Sequence, residues 1–122
     1  MFPSPQDIKR ELDKRKTDFE PALKWFGSRI TWKNFPKDWD KTSPVGISIE
    51  FIENNLKQDN FYHKTCLDVD KVFRGLTDLG FEDHLRQRLQ QAGWVLDDFK
   101  RQIYRQNNRR VGFTITITPK EN

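Results

Sequence analysis

Residues 113–118 read Phe-Thr-Ile-Thr-Ile-Thr, and this strict alternation limits the possible folds more than any other stretch. Side chains on an extended backbone point alternately to opposite sides. Phe113, Ile115 and Ile117 therefore share one face, and Thr114, Thr116 and Thr118 the other. The β-branched residues favour a strand, and Pro119 ends it. Residues 45–52 repeat the pattern, with Ile47, Ile49 and Phe51 opposed to Ser48 and Glu50, as expected of a half-buried strand. Phe99 and Ile103 sit at an i, i+4 spacing that suits a helix. The polar Asn107-Asn108 step and the strand after it favour a hairpin instead.

Between these strands the apolar spacing changes to that of helices. Ile8, Leu12, Phe19, Leu23 and Phe26 recur at roughly helical intervals, with Ser4 or Asp7 placed to cap and Gly27 to stop. Pro21 removes a donor and crowds the previous turn, so it kinks or splits that helix. Val72, Phe73, Leu76 and Leu79 share a face of a helix that opens near Asp70. Leu85 and Leu89 mark another over about 82–92, ended by Gly93. Residues 28–44 form an aromatic loop region holding Trp32, Phe35 and Trp39, with a short strand over 29–33. Packing against the sheet is a commoner role for such tryptophans than stacking on bases. The expected fold is a single α+β domain over residues 1–122. Its parts are an N-terminal helical segment (1–27), the aromatic loop region (28–44) and an α+β core (45–122). In it a small mixed or antiparallel sheet packs against two or three helices and ends in a C-terminal β-hairpin.

Composition narrows the function classes. With 122 residues the chain is long enough for one domain, and its 34% hydrophobic content makes a small core that the 13% aromatics enlarge. No apolar run approaches the ~18 residues of a membrane span. Met1-Phe2-Pro3 begins no signal peptide, so a cytoplasmic setting without a membrane partner is expected. Cys66 is the only cysteine, which excludes an internal disulfide and multi-cysteine metal sites. His63 and His84 make no ligand motif, and His63 reads as a loop or surface residue. Nothing in the chain calls for a small-molecule cofactor.

Charge is unevenly placed. Residues 86–110 carry Arg86, Arg88, Lys100, Arg101, Arg105, Arg109 and Arg110 against Asp97 and Asp98 alone. The remaining chain has 15 cations and 16 carboxylates, so the whole +4 excess comes from that one quarter. Such a patch, interleaved with Phe99, Tyr104 and amide side chains, is what a phosphate backbone attracts. A solvated basic surface is the simpler alternative.

A second cluster is acidic. Asp68 and Asp70 lie two residues apart and point the same way only on an extended backbone. Asp70 also suits a helix start, and Asp70, Arg74 and Asp78 fall at i, i+4 and i+8 on the helix that follows. The plain reading is a capping aspartate with two helical ion pairs.

Taken together, the strand that starts at Pro44-Val45, Asp68-Val69-Asp70, Arg74, Asp78, Leu96-Asp97-Asp98 and the closing strands resemble the RusA-type Holliday-junction resolvases over about residues 44–118. The resemblance implies a homodimer that cuts branched DNA with Mg²⁺, or with Mn²⁺ in its place. Asp68, Asp70 and Asp98 would be the metal ligands, and Asp70 and Arg74 the catalytic residues. Lys71, Lys100, Arg101, Arg105, Arg109 and Arg110 would contact DNA. Three departures accompany it: Lys71 stands where the family usually has Asn, Arg74 replaces its lysine, and about ten extra residues precede the second acidic pair. Arg is a poor proton donor near neutral pH. Two other readings stay open. One is a non-catalytic basic nucleic-acid-binding domain, in which the acids are caps and ion pairs. The other is a small phage-type protein-interaction or inhibitor module that docks through its aromatic segment.

Overall fold

The two alternating stretches become neighbouring strands of one antiparallel sheet. In the computed structural model, which describes residues 2–14, 17–53, 69–104 and 109–120, β1 is Val45–Ile52, β2 is Trp94–Tyr104 and β3 is Arg110–Pro119. The order across the sheet is β1-β3-β2, so the last strand lies in the middle. Ile47 pairs with Ile115 and Ile49 with Phe113 on one side, and Phe99 pairs with Ile115 on the other. A bulge between Leu96 and Asp98 shifts the register of β2 once. β2 and β3 form the expected C-terminal hairpin, and Phe99 and Ile103 are strand residues. The Asn107-Asn108 step lies outside the described residues.

Among the described residues four α-helices accompany the sheet: α1 (Pro5–Lys14), α2 (Glu20–Ser28), α3 (Val69–Thr77) and α4 (Phe81–Gln91). The first expected helix is split, and Pro21 sits in the first turn of α2, where its missing N–H costs nothing. Ser4 and Asp7 cap α1 reciprocally: the Asp7 N–H donates to Ser4 Oγ and the Ser4 N–H to Asp7 Oδ2, both at 3.2 Å. Gly93 ends the α4 turn with a φ of 98°, a value that favours glycine. The short strand expected over 29–33 is not formed. Instead a 3₁₀ turn occupies Trp32–Asn34, held by a reciprocal Thr31–Asn34 capping box.

Helices α2, α3 and α4 supply the residues that bury one face of the sheet. Val111, Phe113, Ile115 and Ile117 are at most 2% exposed. Phe113 meets Phe26 and Phe81 with ring centroids 5.1 and 5.7 Å apart, and Phe51 meets Trp25 at 5.4 Å. Helices α2 and α3 cross closely at Gly75, where an added Cβ would stand 2.6 Å from Ala22 Cβ. The aromatic loop is also mostly structural: Phe35, Trp39 and Trp94 pack together, and Trp39 Nε1 donates to Ser43 O at 3.0 Å. Only Trp32 of that segment stands clear, at 80% exposure. No helix among the described residues is long and apolar enough to cross a membrane.

Candidate nucleic-acid interface

Six of the seven cations of residues 86–110 lie among the described residues, and they divide into two sets. Four are bound to the protein's own acceptors. Arg86 donates to Leu96 O at 2.6 Å, and Arg88 pairs with Glu20. Arg101 donates to Leu76 O and Asp78 O, both at 2.8 Å, and so closes the C-terminal end of α3. Burial pulls the Arg101 guanidinium below its usual pKa, while Asp78 and Glu82 oppose the shift. Asp78 is anchored in turn by the Thr17 hydroxyl at 2.7 Å and the Gly80 N–H at 2.8 Å. Those bonds hold its carboxyl below the usual range, the Thr17 bond most of all.

Arg109 is the fourth. Its Nε donates to Glu53 Oε2 at 2.9 Å, a second bond reaches Glu53 Oε1, and a third reaches Asp70 Oδ1 at 2.5 Å. Its guanidinium also lies over the Phe73 ring, 5.0 Å from the centroid. The Glu53 bonds, then the Asp70 bond, raise its pKa above the usual value. This bridge fastens the end of β1, the start of α3 and the start of β3 to one another. Glu53 carries no signal in the sequence beyond following a strand. It lies 56 positions from Arg109, so only the fold reveals the pair.

The second set faces outward. Gly112, Thr114, Thr116 and Thr118 of β3 point away from the helices, as do Asp98, Lys100, Gln102 and Tyr104 of β2 and Ser48 and Glu50 of β1. The Lys100 side chain has no hydrogen bond or ion pair among the described residues. Arg110 lies over the Tyr104 ring, 4.2 Å from its centroid, and its Nε is 3.7 Å from Glu50 Oε1. All of these groups except Asp98, Thr116 and Thr118 line an open depression of about 660 Å³ across the three strands. Lys71 and Arg74 are exposed on the first turns of α3, beside the Arg109 bridge.

The acidic residues do not converge. Asp70 is the second residue of α3, held by Arg109, rather than the residue that caps it. Asp98 pairs across the sheet with Thr116 and faces away from the helices. Position 109 precedes Thr116 by seven residues, roughly 23 Å of strand at ~3.3 Å per residue. Metal–oxygen bonds are only about 2.0–2.6 Å long, so Asp70 and Asp98 of one chain do not fit a shared ion. Asp97 is hydrogen-bonded to Thr118. Asp68, the third expected ligand, and Arg105 lie outside the described residues. No group of three potential metal ligands occurs among the described residues. Asp78, aligned with Arg74 by sequence, is hydrogen-bonded to Thr17 and Gly80.

No family model matches the chain, and comparisons with curated proteins and with solved structures find no match.

Proposed function

We propose that the protein is a non-catalytic nucleic-acid-binding domain that holds phosphates with the hairpin end of its fold. The observation that carries this reading is the Glu53–Arg109–Asp70 bridge. It ties the start of β3 to the first turn of α3, so Lys71 and Arg74 stand on the side of Arg109, while Arg110 faces the open side of the sheet with Tyr104. Lys100 continues the cationic surface along the open face with Arg110. Helix α4 is the weaker candidate for such contacts. Its first turn carries Glu82 and Asp83, and its Arg86 and Arg88 are bound within the protein.

Phosphate contacts position a protein without reading sequence, and each releases counterions. The affinity for a labelled oligonucleotide, measured by fluorescence anisotropy, should therefore fall linearly on a log–log plot against salt. Lys100→Gln and Arg110→Gln should each reduce that slope by about one. A slope near zero, or one that both variants leave unchanged, contradicts the reading. Branched DNA fits the same surface. On a four-way junction with Mg²⁺ or Mn²⁺ we expect binding without strand cutting, because Asp70 and Asp98 are far apart. Cutting that Asp70→Asn abolishes would restore the metal-dependent nuclease.

A further inference from the structure

We propose that the open face of the sheet binds single-stranded nucleic acid and seats an unpaired base in the hollow above Gly112. This rests on the nucleic-acid reading and deepens it by naming the state of the strand. Gly112 lies in the middle strand, paired with Glu50 on one side and Gln102 on the other. Glycine is unfavourable inside a strand, and one of its uses there is to let a ligand approach the backbone closely. Nothing stands within 4 Å of where its Cβ would be. The hollow is therefore open at the centre of the face, with a backbone floor and a side chain in every neighbouring row.

Those side chains have the chemistry of a base site. Gln102 offers an amide donor and acceptor, and the Glu50 carboxylate accepts from an exocyclic amino group. Next along the strands, Tyr104 and Arg110 form a stacked pair, and both ring and guanidinium planes stack on nucleobases. Lys100 and Arg110 flank the hollow from opposite rows, which suits the phosphates on either side of a seated base. The one carboxylate there, Glu50, is already ion-paired with Arg110. A base inside a duplex is stacked and paired, so it cannot lie flat in this hollow. An unpaired base can.

The test compares a 12-nucleotide single strand of mixed sequence with its own duplex at one salt concentration. The full chain is compared with Gly112→Val, Tyr104→Ala and Tyr104→Phe. The expected result is single-strand binding at least tenfold tighter than duplex binding. Gly112→Val fills the hollow with a residue suited to a strand, so it should abolish the preference while the melting temperature stays level or rises. Tyr104→Ala should weaken single-strand binding roughly ten- to a hundredfold, and Tyr104→Phe should keep it. Equal, salt-dependent affinity for both forms, unchanged in all three variants, overturns the single-strand site and leaves the phosphate-binding reading standing. No measurable affinity for either form overturns both.

Discussion

The two faces of β3 are built from the same ten residues and do opposite things. On one side Val111, Phe113, Ile115 and Ile117 are closed under helices, with Phe113 inside a cage of Phe26, Phe81 and Phe99. On the other, Gly112, Thr114, Thr116 and Thr118 meet solvent or neighbouring polar groups. Neighbouring cations in β2 divide in the same way. Arg101 points to the helices and holds two carbonyls, while Lys100 points outward and holds none among the described residues. In β2 a positive charge is thus a structural part or an available ligand according to the parity of its position. Charge density along the sequence does not distinguish the two.

Substitutions at adjacent positions should expose that division. Phe113→Ala should cost about 3–5 kcal/mol of stability, because a large ring leaves a cavity among other rings. Thr114→Ala beside it should change stability by less than about 0.5 kcal/mol. Chemical denaturation followed by circular dichroism measures both, and a similar cost at the two sites would refute the one-sided core. Gly75→Val should cost about 1–3 kcal/mol by forcing α2 and α3 apart at Ala22. Gly112→Val, the other glycine of the pair, should cost nothing.

Arg101→Gln should destabilise by about 1–3 kcal/mol, since it leaves the Leu76 and Asp78 carbonyls without their donor. Lys100→Gln should leave stability within about 0.5 kcal/mol of the parent while weakening oligonucleotide binding. The reverse outcome would exchange the roles of the two residues. A further small effect concerns pH. The folded-state pKa of Asp78 lies below its unfolded value near 3.8. Its contribution is therefore complete above that value and is lost as pH falls through the folded one. Asp78→Asn should flatten the acid limb of a stability–pH curve by under about 1 kcal/mol, because the site is mostly solvated.

Much of this architecture was legible in the sequence. The alternation at residues 45–52 and 113–118 placed β1 and β3, Pro21 split the first helix, and Gly93 stopped α4. The expected strand over 29–33 failed because the Thr31–Asn34 capping box favours a tight turn over extension. The candidate site was less legible. Arg86, Arg88, Arg101 and Arg109 counted toward a basic surface, yet the fold supplies each with an acceptor 10 to 68 positions away. No local pattern shows such pairs. The same limit applies to Asp70 and Asp98, whose separation follows from strand register rather than from spacing. Gly112 did leave a signal, as a lone glycine next to a strictly alternating run, and its meaning emerges only once Glu50 and Gln102 flank it.

Nuclear magnetic resonance shift mapping with a short single strand tests the central claim most directly. The account predicts that the backbone amides of Lys100, Gln102, Tyr104, Arg110 and Gly112 move on titration, together with those of Lys71 and Arg74, while Asp83 and Gln87 on α4 stay still. Shifts centred on α4 or on Trp32, with the open face of the sheet unmoved, would contradict it.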